Sequence, residues 1–243
     1  MKIHELEQRV ERLQTRISEI SLLSEKSSSD IREWRELKVQ LAIAEDTIEQ
    51  LKSNAEYLRK QSNLGKRFST RTFENFNTSV NSRAYEICKK YVEQRIYDTD
   101  KNGLIICGSY GTGKTHLAAA IANHTVENGI PTLFDTYGGH LEKLKAEFNA
   151  NGEPRYLNLM RNVDMLILDD VGKEKQTEWS QSIMFDIINH RYENMKPTII
   201  TSNFSSRELQ RYFGEACFSR LIETCNALVT EGDDYRQRTN MFG

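Results

Sequence analysis

Proline and cysteine are scarce in this 243-residue chain, with 3 and 4 copies. Cys88, Cys107, Cys217 and Cys225 form no C-x2-C pair, which argues against a structural zinc site. Cys107 closes an apolar strand-like run, while Cys217 and Cys225 lie in what reads as helix, so reduced core thiols are expected. No apolar run approaches the roughly 18 residues that a membrane helix needs, and no leader-like segment opens the chain. A soluble, cytoplasmic protein without a membrane partner is the expectation. Charge of one sign is also lacking, because 33 basic residues stand against 35 acidic ones for a net charge of −2. The balance therefore speaks neither for nor against nucleic acid, and only local patches can do so. The length suits one α/β domain of ordinary size with an appendage.

From Met1 to about Lys60 there is neither proline nor glycine, and the apolar residues keep a heptad spacing. Ile3, Leu6, Val10, Leu13, Ile17 and Ile20 alternate in steps of three and four. Trp34, Leu37, Leu41, Ala44, Ile48, Leu51, Ala55 and Leu58 do so again in a different phase. Between them SEKSSSD offers Asp30 and several serines as turn or cap residues. Residues 1–60 thus read as a helical hairpin or as one coiled helix with a stutter, and the serine run favours the break. A narrow apolar stripe must be covered within the hairpin, by another copy or by a partner protein. Two uses fit: an oligomerisation stalk, or a partner-binding module held apart from the rest of the chain. Residues 61–80 read as a basic linker, in which Lys66, Arg67 and Arg71 meet either nucleic-acid phosphates or solvent. Phe73 and Phe76 look like anchors docking it onto the next domain, residues 81–243. Residues 82–97 read as an amphipathic helix with Ala84, Ile87, Cys88, Tyr91, Val92 and Ile96 inward.

The most informative segment is GSYGTGKT, comprising Gly108, Ser109, Tyr110, Gly111, Thr112, Gly113, Lys114 and Thr115, with His116 following. It lies between the apolar run GLIIC and a helix-forming run, the strand–turn–helix order of a phosphate loop. Such a loop turns successive backbone N–H groups toward phosphates, and the helix start adds a favourable field. Lys114 then reaches the β/γ-phosphates, and the Thr115 hydroxyl joins the shell of a Mg²⁺ ion. A strand is expected over Thr132–Asp135 and a helix over Gly139–Phe148. The run from Val163 to Leu168 reads as a strand delivering Asp169 and Asp170. A carboxylate at such a strand end belongs beside the metal, which assigns Asp169 to the ion and Asp170 to the attacking water. A helix over Glu178–Asn194 ends before Pro197, and a strand over Thr198–Thr201 carries Ser202 and Asn203 at its tip. Asn203 is the candidate for sensing the terminal phosphate or holding the water. Repeated β–α units with near-continuous apolar strands imply a mostly parallel sheet with helices on both faces. Arg220, in the helical run CFSRLIETC, reads either as an arginine for a neighbouring subunit's site or as half of an internal ion pair. Arg236 and Arg238 in DDYRQR are further candidates for nucleotide or DNA.

Residues 70–240 resemble the bacterial replicative-helicase loaders of the DnaC/DnaI type. These are AAA+ ATPases, with the transposition ATPase IstB as a relative. The resemblance rests on FENF at 73–76, the run from Gly103 to Asn123 and NVDMLILDDVG at 162–172. It continues through TSN at 201–203, SRL at 219–221 and DYR at 234–236. It implies an AAA+ fold and a weak ATPase using ATP and Mg²⁺. It further implies that Asn203 is sensor 1, that Arg220 is an arginine finger acting in trans and that Arg236 lies in the sensor 2 neighbourhood. The implied partners are a hexameric replicative helicase, gripped through residues 1–60, and single-stranded DNA, in a homo-oligomeric or spiral assembly. Lys173, Lys175, Thr177 and Trp179 fall in the segment that faces the DNA strand in such loaders. The alternatives are a transposition ATPase forming filaments on duplex DNA and a non-hydrolysing coiled adaptor. Two departures stand out. The acidic pair is Asp-Asp where Asp-Glu is usual, and the amino-terminal module carries no zinc-binding cysteines. Loaders of phages and mobile elements often vary at that end, which makes such an origin an expectation.

Overall fold

A computed structural model describes residues 3–23, 25, 27–61, 64–148, 155–230 and 232. Two antiparallel helices open it, α1 over Ile3–Ser21 and α2 over Ser28–Gln61. Ser27 and Asp30 cap α2 reciprocally: the Ser27 N–H donates to Asp30 Oδ2 at 2.8 Å, and the Asp30 N–H donates to Ser27 Oγ at 3.2 Å. Leu6, Leu13, Ile17 and Ile20 of α1 are buried, as is Ala44 of α2. Arg16–Glu33 and Lys52–Glu7 pairs tie the outer edges. Rather than standing apart, α2 packs along the sheet domain, and Leu51 covers Gly129 so closely that a Cβ there would lie 2.7 Å from its Cδ2.

After the short helix α3 (Gly65–Phe68), a series of turns leads into α4 (Ser82–Glu93). The helix expected over 82–97 stops at Glu93 because Arg95 takes a left-handed φ of 51° and a 3-10 turn follows over Ile96–Asp98. The strands are β1 (Gly103–Gly108), β2 (Thr132–Thr136), β3 (Met165–Val171), β4 (Thr198–Ser202) and β5 (Cys225–Thr230). Among the described residues they form one sheet, ordered β2-β3-β4-β1-β5, with every neighbouring pair parallel. The helices are α5 (Lys114–Glu127), α6 (Tyr137–Phe148), α7 (Arg155–Asn162), α8 (Glu178–Glu193) and α9 (Ser206–Thr224), the last kinked at Gly214.

The strands explain the two cores. Successive side chains of β3 point to opposite faces. Leu166 and Leu168 join Tyr137, Leu144, Ile187 and Leu221 on one side, while Met165 and Ile167 join Ala84, Leu117, Ile121 and Leu228 on the other. This is the α/β sandwich expected of an AAA+ domain. Arg191 of α8 is 1% exposed, and its guanidinium donates to Thr198 Oγ1 and to the carbonyls of Met160, Val163 and Pro197, fastening α7 and α8 to β4. A second expectation is corrected: Cys225 is not helical. It is the first residue of β5, packed against Gly103 at the start of β1.

Candidate nucleotide site

Because β4 lies between β1 and β3, three strand ends stand side by side: the phosphate loop, the Ser202–Asn203 tip and the Asp169–Asp170 pair. They bound a cleft of about 630 Å³, a size suited to a nucleotide. Tyr110, Gly111, Gly113, Lys114, Thr115 and His116 line it from the loop side, with Asp170, Lys173 and Asn203 opposite.

The loop is held from behind. Thr230 Oγ1 donates to Cys107 O at 2.9 Å and lies 2.7 Å from Thr112 Oγ1, so Thr112 faces inward and not the cleft. Gly113 sits at φ 88°, and a Cβ there would come within 2.7 Å of the Phe76 ring, so only glycine fits. Lys114 is buried, and its Nζ donates to the carbonyls of Gly108 at 2.7 Å and Ser109 at 2.6 Å. Burial lowers its pKa to about 8 against the opposing pull of Asp170 and Asp169.

Asp169 is 1% exposed, and burial raises its pKa to about 6, opposed by hydrogen bonds from Thr201 and Thr115. Thr201 Oγ1 donates to Asp169 Oδ1 at 2.5 Å and accepts the Asp170 N–H at 2.9 Å. Asp170 has a left-handed φ of 55°, and the β3–β4 register shifts between Leu168 and Val171. Its Oδ2 meets Lys173 Nζ at 2.6 Å.

Do these residues fit a nucleotide with its magnesium ion? The loop amides and a buried ammonium suit the phosphates, while a hydroxyl at Thr115 and a desolvated carboxylate at Asp169 suit the ion, since Mg²⁺ uses one or two protein oxygens and fills the rest with phosphate and water. A buried carboxylate with a raised pKa is short of a cation, which the ion supplies. The fit is good.

The remaining candidates are dispersed. Arg220 lies on α9 outside the lining of this cleft, stacked over Phe185 at 5.7 Å and Tyr192 at 5.5 Å, with its Nε buried and unpartnered. Thr177 caps α8 by accepting the Ser180 N–H. Trp179 is half-buried, edge-on to Phe148 at 6.1 Å, with Lys145 over its ring. Lys175 is exposed, and Lys173 turns toward the cleft. Arg236 and Arg238 lie outside the described residues.

Sequence reasoning missed the third wall. Arg67, Arg71, Asn75, Phe76 and Val80, from the stretch read as a linker, line the cleft. Asn123 of α5 pins this stretch by donating to the carbonyls of Phe68 at 2.9 Å and Arg71 at 2.8 Å. His116 Nε2 lies 2.9 Å from Thr72 O, and its ring meets the Phe76 ring edge-on at 5.1 Å. The sequence signals were the pair of aromatics in FENF and the basic Arg67 and Arg71, read there as meeting nucleic-acid phosphates or solvent. Thr201 and Thr230 also went unremarked, since a threonine in a strand carries no local mark of what it holds.

Residues 8–242 match the family described as IstB-like ATP binding protein. Among similar proteins, the replicative helicase loader DnaC of Escherichia coli (strain K12) is 29% identical over 172 residues, 69% of each chain. The phage-like element PBSX protein XkdC of Bacillus subtilis (strain 168) is 32% identical over 170 residues, 66% of this chain and 63% of that one. A crystal structure of the DnaC helicase loader superposes with a TM-score of 0.61 at 28% identity, covering 69% of this chain and 100% of that one. The replication initiator DnaA bound to AMPPCP and single-stranded DNA gives 0.60 at 27% identity, covering 71% and 52%. No helix among the described residues is long and apolar enough to cross a membrane.

Proposed function

The chain belongs to the IstB-like ATP-binding protein family, and from that premise we propose that it is an ATP-dependent loader delivering a hexameric replicative helicase onto single-stranded DNA. The observation that carries the proposal is the buried Lys114 lining one cleft with Asp170 and Asn203, the buried Asp169 lying next to Asp170 at the same strand end, in a chain similar to DnaC over 69% of its length.

The residue roles follow from chemistry. The loop from Gly108 to Gly113 offers its amides to the phosphates, and Lys114 exchanges its carbonyl partners for β/γ-phosphate oxygens. Thr115 and Asp169 would hold the magnesium ion, which when bound would withdraw charge from the phosphate oxygens. Asp170 takes the proton of the attacking water as the water oxygen bonds to the terminal phosphorus and the bond to the bridging oxygen breaks. Asn203 orients that water. Arg220 lies off its own cleft and acts on the neighbour's, so hydrolysis depends on assembly; Arg236 is assigned to the nucleotide as well. Lys173, Lys175, Thr177 and Trp179 mark the side that meets DNA, with Thr177 and Trp179 contributing mainly through the shape of the α8 start they hold. Residues 1–60 take the helicase, with Val39 and Ile43 exposed on the outer face of α2.

The test is co-elution of the full chain with a hexameric replicative helicase in the presence of ATP. Val39→Asp with Ile43→Asp is expected to abolish co-elution while nucleotide binding and the circular-dichroism spectrum persist. Full co-elution by that variant removes the hairpin from the contact. The family match also admits a transposition ATPase on duplex DNA; preference for duplex over single strands in a gel shift selects it.

A further inference from the structure

The acid pair is fixed on one side only. Thr201 holds the Asp170 backbone and the Asp169 carboxylate from β4, at 2.9 and 2.5 Å. The Asp170 carboxylate is not held from the sheet. Its partner is Lys173, three residues on in the turn after β3, with Nζ 2.6 Å from Oδ2. A carboxylate bound to an ammonium is turned from an incoming water. The Lys173 side chain is 47% exposed and that of Asp170 24% exposed. Pairs this open are stabilised only slightly, so a competing anion can take the lysine. In the same position Lys173 Nζ is 5.5 Å from the centre of the Tyr110 ring, which stands 59% exposed at the tip of the phosphate loop. An ammonium beside an exposed aromatic face at a cleft mouth suits one phosphate and one base of an unpaired strand.

We propose that Lys173 is a positioning residue that gates hydrolysis: paired with Asp170 it keeps the base silent, and transfer of its ammonium to a backbone phosphate of single-stranded DNA, with the base stacked on Tyr110, frees the carboxylate. This rests on the ATPase reading above and adds the coupling between strand and turnover. Neither the length of the side chain nor its charge is needed to bind nucleotide, because Lys114 already supplies the buried cation. The opposite assignment, Lys173 as a direct contact of the terminal phosphate, predicts the opposite sign.

The experiment is phosphate release by the full chain at fixed protein concentration, with and without an oligo-dT strand. Wild type is expected to be slow and to accelerate about fivefold with DNA, the ratio set by a pair worth about 1 kcal/mol. Lys173→Met should run about fivefold faster than wild type without DNA, show an unchanged KM for ATP and respond no further to the strand. Lys173→Arg, which restores the ion pair, should return the slow basal rate and the response. A Lys173→Met rate at or below that of wild type, or one still accelerated by DNA as wild type is, overturns the gate. Titration of each protein with a fluorescent ATP analogue separates the failures. Binding without acceleration sinks the gate alone, whereas absence of binding sinks the nucleotide site and the gate with it.

Discussion

Replacing Asp169 with asparagine should stabilise the nucleotide-free protein while disabling it. The carboxylate is buried at 1% exposure, and its pKa stands at about 6 where 3.8 is ordinary. A raised carboxylate pKa means that the folded state binds the proton more tightly than the unfolded chain does, so ionisation at neutral pH opposes folding. At about 1.4 kcal/mol per pH unit, the penalty at pH 7 is about 3 kcal/mol. It shrinks to about 1 kcal/mol at pH 4.5, where the folded group is already protonated and the unfolded one is becoming so. The asparagine amide would keep an oxygen to accept the Thr201 hydroxyl and would carry no charge. Urea denaturation in EDTA should therefore show Asp169→Asn more stable than wild type by up to about 3 kcal/mol at pH 7, with the gap closing as pH falls through the window from 6 to 4. Magnesium and ATP should reverse the order, raising the melting temperature of wild type and not of the variant. A variant less stable than wild type at pH 7, or a gap that widens on acidification, refutes the reasoning.

Gly113→Ala places a Cβ 2.7 Å from Phe76 at a φ of 88°. It should lose about 2 to 3 kcal/mol in urea denaturation and bind fluorescent nucleotide at least tenfold more weakly. Arg220→Ala should leave nucleotide affinity unchanged and lower turnover of the assembled protein by about 10³-fold; a loss of affinity in its place would put Arg220 in its own subunit's site.

The phosphate loop and the acid pair were legible because each position is chemically constrained. Gly113 has no room for a side chain, Lys114 must be a buried cation, and Asp169 must end an apolar strand. The strands β1 to β4 were legible as apolar runs between breakers. Strand β5 was not. It follows α9 without an intervening residue, and as the edge of the sheet it buries only Cys225, Leu228 and Thr230, so CNALVT carries neither a turn signal nor a continuous apolar run. The end of α4 was misread because Arg95 takes a left-handed turn that no glycine announces. The Arg67–Val80 wall was hidden for a different reason: Asn123 holds main-chain carbonyls there, and a carbonyl has no letter in the sequence. Lys173 read as part of the segment facing DNA, and its pairing with Asp170 became visible only with the turn after β3.

That hidden wall changes how the amino-terminal hairpin relates to the site. Helix α5 begins at Lys114 and, over 14 residues, spans about 21 Å. Near its start Phe76 lies against Gly113, and midway Asn123 grips the Phe68 and Arg71 carbonyls; just past its end Gly129 receives Leu51 of α2. The chain from the hairpin to the sheet is thus fastened along the helix whose first residue is the phosphate-loop lysine. A helix of this length buried on its inner face moves as one body, because bending it would open the close-packed layer of Leu117, Ala118, Ile121 and Ala122 beneath it. Packing therefore runs without a break from the Lys114 end of the helix to Leu51. The fold joins the amino-terminal hairpin to the candidate nucleotide cleft through packing, and the Arg67–Val80 stretch between them forms one wall of that cleft.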